Sequence, residues 1–126
     1  MNNLANGIVV VNGEEISKNT SLLDLFTNAA MKVSSKNKNA DFKYVYFKSD
    51  DAIVDGKPFR MKGTVYNYRI MSMELYPKSF NSDQLTSELG EPDFDDNDIR
   101  AWNYPWGNVI EEETEKNASV LTIGYL

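Results

Sequence analysis

The chain has 126 residues, 41% of them hydrophobic and 12% aromatic, which suffices for a single core-forming domain over 1–126. It contains neither cysteine nor histidine, which excludes disulfides, thiolate and imidazole metal sites, and any Ser–His–Asp or Cys–His catalytic arrangement. The net charge of -6 is unevenly spread: residues 1–80 carry 11 Lys/Arg against 8 Asp/Glu, and residues 81–126 carry 2 against 11.

At the start, "GIVVVNGEEIS" predicts a β-hairpin turning at Asn12-Gly13, because a type I′ turn needs positive φ at both central residues. Its apolar run, Gly7 to Val11, is too short for a signal peptide, and no stretch approaches a membrane span, so the chain reads as cytoplasmic. Next, "NTSLLDLFTNAAMKVSS" has helical spacing: Leu22, Leu25, Phe26, Ala29 and Val33 would form one buried face. Thr20 or Ser21 would cap this helix.

"DFKYVYFK" alternates as a strand, with Phe42, Tyr44 and Tyr46 on one side and Val45 and Phe47 on the other. Asp55-Gly56 is a second turn signal. The following "FRMKGTVYNYRIMSMELYP" is too long for one strand, so a bend or bulge is predicted near Gly63 or Asn67. In "SFNSDQLTSELGEP" a second helix begins at an Asn81 cap with Gln84 three residues on, Phe80 stapling onto Leu85, and ends at Gly90 and Pro92. Three further β-runs follow, "IRAWNYPWG", "NVIEEETE" and "ASVLTIGYL", with turns expected at Gly107-Asn108 and Lys116-Asn117.

Runs of strands following single helices imply an α+β fold: an antiparallel sheet of five to seven strands with two helices packed on one face. Leu22, Leu25, Phe26 and Ala29 from the first helix and Leu85 and Leu89 from the second would meet the sheet.

The unusual stretch is "LGEPDFDDNDIRAWNYPWG", with five carboxylates from Glu91 to Asp98 ahead of Trp102, Tyr104, Pro105 and Trp106. A calcium loop fails on spacing: counted from Asp93, Asp95 and Asn97 fit, but Asp98 stands where the EF-hand glycine belongs and Tyr104 where the glutamate belongs. A glycosidase carboxylate pair would need a deep sugar cleft that a domain of this size rarely supplies. With no phosphate-binding glycine loop and no nucleophile motif, the chain is read as a non-enzyme without cofactor or metal.

Trp102 and Tyr104 alternate along one strand and point to the core face. Trp106 lies at a strand end, where its exposure would suit a partner interface. A concentrated negative surface steers basic partners and repels nucleic acid. The candidate partner-binding residues are therefore Asp93, Asp95, Asp96, Asp98, Trp106, Glu111, Glu112 and Glu113, with Glu111 and Glu113 on one strand face and Glu112 on the other.

A helix closing in "LGEPD", then a strand "WNYPW", resembles bacterial helix-plus-antiparallel-sheet domains of the β-lactamase-inhibitor type. There "LG-x-P" ends a helix and the next strand bears Trp or Tyr; the matching residues are Leu89, Gly90, Pro92, Trp102 and Tyr104. The paired cysteines of secreted members are absent, in keeping with a cytoplasmic setting. In size, acidity and lack of catalytic groups the chain is also similar to the immunity proteins of bacterial toxin systems, including contact-dependent growth inhibition. That resemblance implies a stoichiometric inhibitor of a cognate toxin domain, often a basic nuclease. The alternatives are an accessory interaction module and a small-ligand carrier using the tyrosine-rich sheet.

Overall fold

A computed structural model describes residues 3–21, 24–25, 32–34, 44–54, 56–77, 82–115 and 118–126. A 3-10 turn at Leu4–Asn6 leads into β1 (Val9–Val11) and β2 (Glu14–Ile16). Then come β3 (Lys32–Ser34), β4 (Tyr44–Val54), β5 (Lys57–Tyr66) and β6 (Arg69–Pro77). A helix, α1 (Ser82–Leu89), precedes β7 (Phe94–Asp96), β8 (Ile99–Tyr104), β9 (Gly107–Glu115) and β10 (Ala118–Tyr125). The ten strands form one sheet in the order β2-β1-β4-β5-β6-β10-β9-β8-β7, with β3 paired to β4 off that path.

This overturns the α+β expectation of two helices on a sheet of five to seven strands. The described residues are mostly antiparallel strand, with one eight-residue helix. The predicted first helix accounts for part of the error. Asp24 and Leu25 are helical, but Val33, assigned to that helix's buried face, lies in β3 opposite Phe47 of β4. Its β-branched side chain suits a pleated strand, and pairing with a long neighbour overrides a helical spacing that is only a local preference. Leu22, Phe26 and Ala29 lie outside the described residues, as do Phe42, Phe80 and Asn81.

The turn chemistry explains much of the remaining path. Asn12 and Gly13 both have positive φ, 51° and 83°, and close the β1–β2 hairpin with Val11 opposite Glu14. Asn12 also ties that hairpin to β4: its N–H donates to the Ile53 carbonyl at 2.9 Å, and its Oδ1 accepts from the Ile53 N–H at 2.7 Å. The long run over 59–77 breaks into two strands at Asn67-Tyr68, both at positive φ, with Tyr66 opposite Arg69. A bulge two residues earlier shifts the register between Thr64 and Val65. The β8–β9 hairpin turns at Pro105-Trp106, two residues before the expected Gly107-Asn108, since Tyr104 pairs with Gly107.

Strand alternation sorts side chains cleanly. In β4, Val45, Phe47, Ser49, Ala52 and Val54 are buried while Tyr44, Tyr46, Lys48, Asp50 and Asp51 are exposed. The register shift between Ser49 and Ala52 lets both adjacent aspartates face solvent without inverting the strand. Phe47 lies across Gly63 on β5: a Cβ there would fall 2.0 Å from its ring, so only glycine admits the aromatic.

One hydrophobic cluster joins the inner faces of both halves of the sheet to Leu4, Leu25 and Leu85. Leu85 and Leu25 are buried, and Leu89 packs against the cluster from its edge. The sheet curls tightly enough for the chain just ahead of β1 to touch the far end of β8–β10. The Trp106 indole N–H donates to the Ala5 carbonyl at 2.9 Å, and the Tyr125 hydroxyl donates to the Gly7 carbonyl at 2.8 Å. Among the described residues no helix is long and apolar enough to cross a membrane.

Candidate partner-binding surface

The acidic stretch folds as the β7–β8 hairpin at one edge of the sheet. Phe94 pairs with Ala101, Asp95 with Arg100 and Asp96 with Ile99, leaving Asn97-Asp98 as the tip. Helix α1 ends at Gly90, whose φ of 82° supplies the left-handed stop, and Pro92 directs the chain into β7. The Trp102 indole N–H donates to the Gly90 carbonyl at 3.0 Å, locking the helix end over β8. At the tip, the Glu113 N–H donates to the Asp98 carbonyl at 2.8 Å, fastening the hairpin to β9.

Directly opposed residues of antiparallel strands share a face. Phe94, Asp96, Ile99, Ala101, Ile110 and Glu112 therefore project together from the outer face of β7–β9. Phe94 is 53% exposed and Ile99 38%, so an apolar strip lies open between Asp96, Glu112 and the Asp98 tip. A large aromatic left in solvent on an edge strand, bordered by carboxylates, has the anatomy of an interface core with a charged rim.

The structure separates the eight sequence-derived candidates. Asp96 and Glu112 flank the apolar strip, and exposed Asp98 marks its end. Asp95 is exposed but shares the opposite face with Arg100, and Glu113 is exposed on the side opposite Glu112. The Asp93 carboxylate accepts from the Asn103 N–H at 2.7 Å, while its own N–H donates to the Ala101 carbonyl at 2.8 Å, so it clamps the start of β7.

Glu111 is buried, 5% exposed, and paired with Arg100, whose Nε donates to Glu111 Oε1 at 2.8 Å. Arg100 Nη1 also donates to Thr86 Oγ1 at 2.9 Å, joining α1 to β8 and β9. Its guanidinium lies 5.5 Å from the Trp102 ring, within cation–π range.

Trp106 lies beyond the other end of β8, whose six residues span about 17 Å at roughly 3.3 Å per strand residue. It is half-buried, stacked on Tyr104 at 5.2 Å with the rings 7° apart, and set against Gly7. Tyr104 is raised above its ordinary pKa, chiefly by burial and then by the nearby Asp93 charge. Phe94 and Ile99 are the residues that sequence reasoning missed. Their only local signal is a place on one face across the two-residue Asn97-Asp98 turn, which is weak beside the surrounding carboxylates.

Among the described residues, no group of three or more carboxylates stands close enough to hold a metal ion. Comparison with protein-family models, with curated proteins and with solved structures gave no match.

Proposed function

We propose that this chain is a stoichiometric protein-binding inhibitor that receives a basic partner domain on the outer face of β7–β9. Its most specific form is an immunity protein neutralising a cognate toxin. The observation that carries the reading is Phe94, more than half exposed beside Ile99 and bordered by Asp96, Asp98 and Glu112. Desolvating an aromatic contributes residence time, and a carboxylate rim contributes encounter rate with a cationic surface. No step of catalysis is required of the chain, since occluding a toxin's active surface is sufficient for protection.

The test is co-expression with the toxic protein encoded beside this gene, together with isolation of the complex. The expected outcome is protection of growth and a 1:1 complex, both lost in Phe94→Asp while the variant keeps its native circular dichroism spectrum. The absence of a toxic neighbour, or protection that survives Phe94→Asp undiminished, would remove the proposal.

A further inference from the structure

On the outer surface of β4–β6, away from the acidic face, lies a cleft of about 240 Å³. Its polar lining is Tyr46, Lys48, Lys62, Thr64, Ser72 and Glu74. The strand register arranges these side chains in two rows. Tyr46, Thr64 and Ser72 oppose one another in the first, and Lys48, Lys62 and Glu74 in the second. In the backbone register, Lys32 of β3 pairs with Lys48.

Like charges directly across a strand pair repel, so consecutive lysines at opposed positions are costly unless something negative stands near them. Glu74, at the end of the row, accepts a hydrogen bond from the Tyr76 hydroxyl. Arg60 and Lys62 lie 4.7 and 5.7 Å from the Tyr76 ring. Among the described residues no ion pair neutralises Lys48 or Lys62. The cleft therefore offers two ammonium groups beside three hydroxyls, with the Glu74 carboxylate opposite Lys62 and the half-exposed ring of Tyr46 at its side.

We propose that this cleft binds a small phosphate-bearing molecule. A phosphate monoester carries between one and a half and two negative charges near neutral pH and has three strong acceptor oxygens. It can therefore meet both ammonium groups and a neighbouring hydroxyl at once, whereas a planar carboxylate brings one charge and two oxygens. The cleft is smaller than the roughly 300–1,000 Å³ of sites for drug-sized ligands, which favours a phosphate on a compact substituent. An aromatic substituent would rest against Tyr46. This site is independent of the β7–β9 surface and lies on different strands.

The probe is phenyl phosphate, titrated into the isotopically labelled intact chain at constant ionic strength and followed through backbone amide shifts. Benzoate and a short single-stranded oligonucleotide serve as comparison ligands. Saturable shifts centred on Tyr46, Lys48, Lys62, Thr64 and Ser72 are expected. Lys48→Met and Lys62→Met should each weaken binding about tenfold or more, the size of a lost charge-assisted contact. Both variants should keep the native spectrum and a Tm no lower than the parent's, because each relieves a like-charge pair; Lys62→Arg should retain binding. Unsaturable or scattered shifts, an equal response to benzoate, unchanged affinity in both methionine variants, or binding of the oligonucleotide alone would each overturn the proposal.

Discussion

Trp106 and Phe94 invert the usual expectation for an aromatic near a turn. The tryptophan at the Pro105-Trp106 turn is held by the Ala5 carbonyl and by Tyr104 and Tyr125, whereas the phenylalanine on a three-residue edge strand is open. Trp106→Ala should therefore lower stability by about 3 kcal/mol, the low end for losing a packed aromatic, while Phe94→Ala should stay within about 0.5 kcal/mol. Urea denaturation of the two variants separates them. Tyr125 adds a pH dependence. Burial raises its phenol above the ordinary 10.0, so the folded state favours the neutral form. Its contribution is complete below pH 10 and is lost as pH rises further, because the unfolded chain ionises first. Tyr125→Phe should lose about 1 kcal/mol at neutral pH with its bond to the Gly7 carbonyl. It should also flatten the alkaline decline in Tm, read by melting from pH 8 to pH 11.

At the scale of elements, the junction of α1 with β8 and β9 rests on Arg100, which reaches both Glu111 and Thr86. Arg100→Met strands a buried carboxylate and should cost roughly 3 kcal/mol or more. Adding Glu111→Leu should recover most of that loss, since replacing both partners of a buried pair by apolar groups is often neutral. Chemical denaturation of the single and double variants gives the comparison directly. This pair also marks where sequence reading stops. Asn12-Gly13, the Gly90–Pro92 helix stop and the Tyr44 to Phe47 alternation are local signals, and each stands in the structure as written. Glu111 in the core depends on a cross-strand partner eleven positions away, which no local pattern displays. The Asn67-Tyr68 turn was legible only as an irregularity, because a tyrosine at φ 67° is an uncommon occupant of a left-handed position. β7 is three exposed residues with no apolar alternation, so its identity as a strand comes from pairing with β8. The hydroxyl and lysine rows were out of reach for the same reason: they exist only once β4 to β6 are in register.

For the whole molecule, the chain's charge asymmetry becomes a spatial one. Lysines at cross-strand positions mark the β4–β5 half, and carboxylates mark the β7–β9 end of the same curled sheet. Charges at a rim mainly set how fast a partner arrives, and the desolvated centre mainly sets how long it stays. The measurement that bears most directly on the proposed inhibitor role is the association rate of the toxin domain as a function of salt. It should be taken for the parent and for the combined Asp96→Asn, Asp98→Asn and Glu112→Gln variant. The expected result is a parental rate that falls steeply with ionic strength and a variant rate that is lower at low salt and nearly flat. Identical rates with identical salt dependence would contradict a functional role for the acidic face.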